Sequence, residues 1–424
     1  MELQMEQLGL EQNDQSAKGS DTVKRPELLV PAGNLEKLKM AVRYGADAVY
    51  IAGEMFGLRK AAGNFSFAEM AEGVQFAHER GAKVYLAANI IAHNSDLPSL
   101  EDYLLQVAQA GIDAILFADP AVYLAARRVI PEMPLHVSTQ MNTTNWQTVR
   151  FWADQGIERV VLAREMSLAE IREIREHSPV ELECFVHGAM CVSYSGRCLL
   201  SNYMAERDAN RGGCAQSCRW KYALVEQQQG QWVDQTPGHY LMNSRDLCMI
   251  EHIPELIAAG ISSFKIEGRM KSIHYVATVT NVYRQAIDLY FRNPEEYKVD
   301  PAWIAEIRKA SHRPLGTGFY FDKPTFREQM YQPGEKLRKY DFVGMVLDYD
   351  SDTGIATIEQ RNHFKIGDEV EIIGPGGVFF TQVIEEIRDQ SGVQVDVAPH
   401  PLEILHIPIK HAVQPFYLLR KENI

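Results

Sequence analysis

The chain has 424 residues, a length typical of two or three domains. A hydrophobic fraction of 46% supports a globular core, and a net charge of −13 argues against a broad basic nucleic-acid surface but not against a local one. The sequence contains no run of 18 apolar residues, the pattern that would predict a membrane span. We therefore expect no membrane contact and a cytoplasmic location.

The first part of the chain alternates helical and strand-like patterns. Residues 1–24 are polar and lack an apolar core, which predicts a disordered tail rather than a signal peptide. After them, helical segments are followed by a glycine and a short β-rich apolar run, and these glycines are Gly45, Gly81, Gly111, Gly156 and Gly260. Glycine suits the left-handed end of a helix, and the apolar run suits a buried parallel strand, so the pattern predicts an α/β fold.

Eight strands can be counted within about 250 residues, the number and length typical of a (β/α)8 barrel. The runs are ELLVPAG, DAVYIAG, KVYLAAN, DAILFAD, LHVSTQ, RVVLARE, ELECFVHG and SFKIEG. They predict a TIM-like barrel over residues 25–312, with HYLMNSRD, from residue 239, as a surplus strand candidate. A doubly wound sheet is the second interpretation, although no GxGxxG or GxxxxGK[ST] loop supports nucleotide binding.

Functional groups of such barrels lie at the carboxyl ends of the strands. Polar side chains are found at these predicted ends: Asn89, Asp119, Gln140, Arg164, Glu165, His187, Glu267 and Arg269. We consider four of them candidates for catalysis, namely His187, Glu165, Gln140 and Glu267, and three candidates for substrate binding, namely Asn89, Arg164 and Arg269. Contact with solvent is the competing explanation for polarity at a strand end.

The alternation is interrupted at about 188–245, and the pattern changes again near residue 340. The interruption carries most of the cysteines and a predicted hairpin around ALVEQQQGQWVDQ. Residues 313–339 are interpreted as a connector. Residues 340–424 show period-two runs, FVGMVLDY, GIATIEQ, DEVEIIG, FFTQVIEEI, VQVDVAP and AVQPFYLL, which predict a small antiparallel β-barrel domain.

Five of the six cysteines lie outside the predicted strand cores and within 58 residues of one another. They are Cys191, Cys198, Cys214, Cys218 and Cys248, separated by seven, sixteen, four and thirty residues, whereas Cys184 is predicted to be a buried thiol in a strand. Clustered cysteines in a reducing compartment favour a metal site, but this spacing does not distinguish zinc from iron. The absence of CxxxCxxC argues against a radical-SAM enzyme. Scattered buried thiols and a His187–Cys191 catalytic dyad are the alternatives.

The cysteine-rich loop is also locally basic. It carries Arg197, Arg207, Arg211, Arg219 and Lys221 against Glu206 and Asp208, five positive charges minus two negative, or +3. Arginines can hold phosphates or a small dicarboxylate by paired hydrogen bonds, so Arg197 and Arg211 join the substrate-binding candidates. A solvated loop is the competing explanation.

The stretch ECFVHGAMCVSYSGRCLLS resembles the signature of the collagenase-like peptidase family U32. The matching positions are Glu183, Phe185, Gly188, Ala189, Met190, Cys191, Gly196, Cys198, Leu200 and Ser201. The segments ELLVPAGNLEKLKMAVRYGADAVYIAG and SFKIEGRMKS, together with the terminal β-domain, are also similar to the family. Several relatives in this family carry a [4Fe-4S] cluster, and the resemblance implies Cys191, Cys198, Cys214 and Cys248 as its ligands, with Cys218 as the alternate to Cys214.

RDANRGGCAQSCRWKY and the terminal domain resemble the branch that makes 5-hydroxyuridine at the wobble position of tRNA. This resemblance implies oxygen-independent hydroxylation of the anticodon loop with prephenate as hydroxyl donor. It also leaves room for a homo-oligomer or an assembly with a paralogue. A peptidase that cleaves unfolded or collagen-like chains is the first alternative, and a non-catalytic RNA-binding protein is the second.

Overall fold

The computed structural model describes residues 24–223, 225–228, 231–234, 239–311, 313–331 and 340–423. The predicted N-terminal tail therefore lies outside the described residues, apart from Lys24. Within the described ranges, none of the helices is both long and apolar enough to cross a membrane.

Seven short strands follow one another around the first domain, and each pairs in parallel with the next. They are β1 (Glu27–Pro31), β2 (Ala48–Ile51), β3 (Lys83–Ala88), β4 (Ala114–Phe117), β5 (Leu135–Val137), β6 (Arg159–Val161) and β7 (Glu181–Ala189). Nearly all of their residues are buried, because helices cover the outer face while side chains fill the interior.

Six helices connect these strands, and most begin at a side chain that caps the first turn. They are α1 (Leu35–Arg43), α2 (Phe67–His78), α3 (Leu97–Gln109), α4 (Pro120–Val129), α5 (Trp146–Asp154) and α6 (Leu168–His177). Ser66 and Ser167 form capping boxes with Glu69 and Glu170, which satisfy amides that the helix leaves unpaired. The five glycines of the repeated pattern all have positive φ, between 72° and 103°, so the predicted left-handed ends are confirmed.

The insertion after β7 forms short elements on the carboxyl-end face of the barrel. They are α7 (Leu200–Ala205), β8 (Lys221–Tyr222), β9 (Val225–Gln228), β10 (Gln231–Asp234), β11 (His239–Tyr240) and β12 (Asp246–Cys248). β9 and β10 pair antiparallel, which confirms the predicted hairpin. The surplus strand candidate belongs to this region: β11 pairs with β8, and β12 runs antiparallel to β7.

The eighth strand closes the barrel. After α8 (Ile253–Ala258), β13 (Ser263–Ile266) pairs in parallel with both β7 and β1. The predicted (β/α)8 barrel is confirmed, and the doubly wound sheet is wrong because no sheet edge separates β1 from the last strand. α9 (Ile273–Arg292), α10 (Pro301–Ala310) and β14 (Leu315–Gly316) follow, and β14 pairs with β12.

The C-terminal domain is an antiparallel sheet around its own apolar core, as the sequence predicts. Its strands are β15 (Tyr340–Asp350), β16 (Ile355–Gln360), β17 (Phe364–Lys365), β18 (Glu369–Gly374), β19 (Val378–Val383), β20 (Val397–Ala398), β21 (Ile404–Pro408) and β22 (Leu418–Glu422). The main sheet has the order β19-β18-β22-β15-β16-β21. The buried amide of Gln382 in β19 donates to the carbonyl of Pro408 in β21 at 3.0 Å, so the two outer strands meet.

One sequence expectation for this domain is wrong. The run VQVDVAP supplies only the two-residue β20, which pairs with β17, whereas the sixth strand of the main sheet is β21. ILHIP was overlooked because it lies between prolines and histidines.

Candidate functional site

The loops at the carboxyl end of the barrel enclose a cavity of about 100 Å³. Strand-end residues line it from below: Asn89 after β3, Gln140 after β5, Arg164 after β6, and Glu267 and Arg269 after β13. The inserted segment covers it from the other side. Five of the eight polar strand-end residues therefore meet in one place, as parallel strands of a closed barrel require.

Four cysteines of the insertion line this cavity: Cys191, Cys198, Cys214 and Cys218. All are free thiols. Burial raises the pKa of Cys218, Arg219 opposes this, and the neighbouring Cys191 and Cys214 raise the pKa further. Cys191 is far from Cys214 and Cys218 in the sequence, so the fold of the insertion brings it to the same cavity as these two cysteines.

Cys248 lies elsewhere. It ends β12 opposite His187, is 8% exposed, and does not line the cavity. Burial raises the pKa of its thiol to about 11, and the thiol is hydrogen-bonded with the hydroxyl of Tyr283. A ligand role for Cys248 remains a prediction. Cys184 is buried in β7, which confirms its expected place in the strand core.

The four cavity cysteines match, in number and in donor chemistry, the ligands of a metal centre that is bound by four thiolates. The distances between these side chains do not match such a centre. In the part of the chain that the structure describes, no three His, Cys, Asp or Glu side chains lie close enough together to hold a metal ion.

Two arginines that line the cavity, Arg164 and Arg269, each have a buried Nε–H without a partner among the described residues. Arg269 is 5% exposed and donates through one amino group to the carbonyl of Leu58 at 3.0 Å, while its Nε has no partner among the residues that the structure describes. Arg164 donates to the carbonyl of Ala189 at 2.8 Å, and its Nε is likewise unpaired. Burial lowers the pKa of Arg269 to about 10, so it stays charged at neutral pH.

Arg59 is a third cavity arginine, and sequence reasoning missed it. It has a left-handed backbone, with φ of 64° and ψ of 53°, which is unfavourable for a residue with a side chain. Burial tends to lower its pKa, but Glu267 and the thiols of Cys214 and Cys191 raise it overall. Its position in the loop after β2 was the available signal, since every loop at that end of a barrel faces the site.

Lys265 was also missed, because it lies inside the apolar run of β13. It is 3% exposed, lines the cavity, and its Nζ lies 2.7 Å from Oε1 of the fully buried Glu183. The other oxygen of Glu183 accepts from Arg159 at 3.3 Å. Burial lowers the pKa of Lys265, while Glu183 favours its charged form. Ion pairs therefore run from the cavity floor through the barrel interior.

Two of the four catalytic candidates do not line the cavity. Glu165 accepts from the amide and hydroxyl of Ser195 at 2.7 and 2.5 Å, so both carboxylate oxygens hold a loop. His187 is 1% exposed, contacts Tyr283, and burial lowers its pKa to about 4. Gln140 and Glu267 do line it. Asp119 instead caps α4.

Only some of the substrate-binding candidates line the cavity. Asn89, Arg164 and Arg269 line the cavity, whereas Arg197 and Arg211 do not. Arg197 is exposed and donates to the carbonyl of Gln140 at 2.5 Å, and Arg211 forms a two-point ion pair with Asp96 at 2.5 and 2.8 Å. The ion pair between Arg211 and Asp96 ties the insertion to the barrel.

Comparisons with known proteins match both domains. The family model described as Peptidase family U32 matches residues 33–330, and the one described as Peptidase family U32 C-terminal domain matches residues 338–420. The chain is 50% identical over 401 residues to tRNA hydroxylation protein P1 of Bacillus subtilis (strain 168), covering 94% of this chain and 95% of that protein.

Two further relatives carry different names. The chain is 34% identical over 445 residues to tRNA hydroxylation protein P of Escherichia coli (strain K12), covering 94% of this chain and 97% of that protein. It is 31% identical over 403 residues to a protein of Porphyromonas gingivalis named Collagenase, covering 92% and 96%. With the family model matching most of the barrel and its companion matching the sheet domain, the chain belongs to peptidase family U32.

Proposed function

We propose that this protein is a tRNA-modifying enzyme that hydroxylates the wobble uridine to 5-hydroxyuridine without oxygen. The observation that carries the proposal is the convergence of four cysteines and four cationic side chains on one cavity. Relatives that match 94% of the chain are named tRNA hydroxylation proteins, which supports tRNA as the substrate. We expect the protein to work in the cytoplasm, as a homo-oligomer or with a paralogue.

A [4Fe-4S] cluster is the proposed cofactor, since four thiolates are the usual protein ligands of a cubane cluster. The four cavity cysteines, Cys191, Cys198, Cys214 and Cys218, would hold it. This set differs from the one that family resemblance implies by having Cys218 in place of Cys248. When bound, such a cluster supplies redox or Lewis-acid chemistry at the barrel mouth.

Prephenate is the proposed hydroxyl donor, and its two carboxylates need fixed positive groups. Arg164 and Arg269 each present an unpaired Nε–H, and Arg59 lies beside them on the cavity lining. A charged hydrogen bond of this kind contributes about 1.5–3 kcal/mol. The buried Lys265 lies at the cavity floor, where Glu183 neutralises its charge.

Glu267 is the proposed proton acceptor, and Gln140 and Asn89 are proposed to orient the uracil. Transfer of the hydroxyl group from prephenate to C5 of uracil oxidises the uracil by two electrons, which prephenate accepts, and releases the C5 proton. Glu267 is a carboxylate on the cavity lining that would receive this proton. The amide of Asn89 donates to Oε1 of Gln140 at 3.2 Å, so the two amides form one polar edge.

The cluster assignment is tested by cysteine substitution with anaerobic purification and iron and sulfide analysis. Cys191→Ala, Cys198→Ala, Cys214→Ala and Cys218→Ala should each lose most of the iron and the 5-hydroxyuridine. Cys184→Ala is the matched control and should retain both, because its thiol is in the strand core. If Cys248→Ala loses iron and Cys218→Ala does not, the ligand set implied by resemblance is the correct one.

A peptidase is the second candidate, favoured by the relative named Collagenase. His187 is buried and does not line the cavity with Cys191, which argues against the dyad considered from sequence. Nucleoside mass spectrometry of a deletion strain, with and without the gene restored, separates the candidates. Cleavage of gelatin by the purified protein with unchanged tRNA would support the peptidase, and tRNA binding without any modified nucleoside would support a non-catalytic RNA-binding protein.

A further inference from the structure

The segment that lines the cavity also presents an apolar surface to solvent. Cys191, Ser195, Cys198 and Ser201 line the cavity. Between and after them, six large side chains are exposed: Val192 (44%), Tyr194 (51%), Leu199 (57%), Tyr203 (79%), Met204 (43%) and Trp220 (40%). We call these six residues the collar. Exposed apolar side chains that form a patch mark an interaction site, so the collar is a candidate binding surface.

The collar is held in place by hydrogen bonds from its own segment. Asn210 accepts from the amide of Cys198 at 3.2 Å and donates to its carbonyl at 3.0 Å. Arg219 donates to the side chain of Asn243 at 2.8 Å, and the hydroxyl of Tyr222 donates to Ser217 at 2.8 Å. The collar side chains are therefore exposed on a fixed frame, which lowers the ordering cost of binding.

The collar is surrounded by positive charge, although the chain is acidic. Residues 190–222 carry Arg197, Arg207, Arg211, Arg219 and Lys221 against Glu206 and Asp208, five positive charges minus two negative, or +3, in a chain of −13. The ion pair of Arg211 with Asp96 reduces this local charge to +2. A polyanion would therefore meet attraction here and repulsion over much of the remaining surface.

We propose that the collar docks a single-stranded RNA loop, with Tyr203 and Trp220 as stacking platforms for bases beside the one that enters the cavity. Unpaired bases are recognised by aromatic stacking, and cations beside the aromatics hold the phosphates. Tyr203 lies on α7, which packs against the turn Ser217–Arg219 that precedes Trp220. The inference rests on the proposed function and assigns the surface that presents the tRNA.

The test is binding of a 17-nucleotide anticodon stem-loop with a wobble uridine, measured by fluorescence anisotropy on the whole protein. Tyr203→Ala and Trp220→Ala should each weaken binding roughly 5- to 150-fold, since stacking on one base contributes about 1–3 kcal/mol. Tyr203→Phe should bind as the unchanged protein does, because the ring remains. Phe151→Ala on α5 and Leu124→Ala on α4 are matched controls, at 55% and 61% exposure, and should change the Kd less than twofold.

Salt dependence gives an independent measurement. Arg207→Gln should lower the slope of log affinity against log salt by about one unit, whereas Tyr203→Ala should leave the slope unchanged.

Normal RNA binding by both aromatic variants overturns the collar proposal, even if the protein hydroxylates tRNA. Loss of self-association in these variants with unchanged RNA affinity also overturns it, because the collar then binds protein. Failure of the unchanged protein to bind or modify any tRNA overturns the proposed function itself.

Discussion

At the scale of single residues, the cavity depends on side chains held in unfavourable states. Arg59 adopts a left-handed backbone beside two cysteines, and Arg269 is charged although 5% exposed. A left-handed conformation costs a residue with a side chain about 1–2 kcal/mol. Such a cost at a cavity lining is expected where the position of a charge matters more than local stability.

Arg59→Gly should separate stability from activity. Glycine accepts the left-handed backbone, so the melting temperature should not fall, whereas the yield of 5-hydroxyuridine should drop roughly tenfold or more with the guanidinium lost. Leu402→Gly is the matched control, because Leu402 has φ of 71° in the other domain. Leu402→Gly should relieve similar backbone strain and leave the yield of 5-hydroxyuridine unchanged. Normal yield from Arg59→Gly would remove Arg59 from the substrate site.

His136 should make the barrel sensitive to acid. It is 4% exposed, and burial, together with Arg159, Lys265 and Lys83, holds its pKa well below the ordinary value. Protonation of His136 is therefore unfavourable in the folded state. The free energy of unfolding is highest above about pH 6.5 and decreases as the pH falls below that value. The loss between pH 7 and pH 5 is up to about 2 kcal/mol.

His136→Phe should remove that part of the acid loss, measured as urea unfolding free energy at pH 7 and pH 5. Its Nδ1 has no hydrogen-bond partner, so a phenyl ring can replace the imidazole against Tyr85. His78→Phe, at a histidine 44% exposed, is the control and should keep the acid loss. An equal pH dependence in His136→Phe and the unchanged protein would contradict the assignment.

At the scale of elements, the insertion is fastened to the barrel loops at a few points. Arg211 pairs with Asp96 just before α3, and the amides of Lys60 and Ile91 donate to Gly212 and Asn210. These contacts fix the turn that precedes Cys214. The hydrogen bond from Arg211 holds the pKa of Asp96 at about 2, so the pair persists at neutral pH, and its contribution to stability declines as the pH falls from about 4 towards 2.

Asp96→Asn should loosen this turn without unfolding the barrel. The expected loss is about 1–2 kcal/mol, as for one partly exposed charged hydrogen bond. Hydrogen exchange should become faster in residues 206–214 and stay unchanged in β1 and β2. Asp102→Asn, at an exposed position on α3, serves as the control. Unchanged exchange in 206–214 would mean that the backbone bonds alone fix the turn.

At the scale of the whole molecule, the sheet domain is packed firmly onto the barrel. An apolar cluster joins Met40, Tyr44 and Ile273 of the barrel to Met345 and Leu418 of the sheet domain. The fully buried Arg420 also pairs with Glu306 and Glu371. Deleting residues 340–424 would therefore uncover apolar surface on α1 and α9, so a single substitution at the contact is the cleaner test.

Tyr44→Phe should weaken the contact between the domains by about 1–3 kcal/mol. The hydroxyl of Tyr44 donates toward the carbonyls of Phe416 at 3.0 Å and Ile373 at 3.2 Å, and its loss removes both hydrogen bonds across the contact. Calorimetry should show a lower or broader transition, with iron content unchanged. Tyr349→Phe, within the sheet domain, is the control. A transition like that of the unchanged protein would show that apolar packing alone holds the domains together.

The sequence by itself determined the barrel, its eight strands and most of the second domain. Glycine-terminated helices and apolar runs are local patterns, and they repeat often enough to be counted. It also determined which segment carries the thiols and which strand ends are polar. Gln140, Glu267, Asn89, Arg164 and Arg269 were found in this way, because the ends of neighbouring parallel strands must meet.

Tertiary structure alone decided which of these groups share the cavity. Spacing along an insertion does not say how it folds, so the sequence did not reveal that Cys214 and its alternate Cys218 both line the cavity, whereas β12 places Cys248 beside His187. Arg59 and Lys265 were missed because one lies in an unremarkable loop and the other inside an apolar run. Their roles depend on burial and on neighbours distant in sequence, which arise only when the barrel closes.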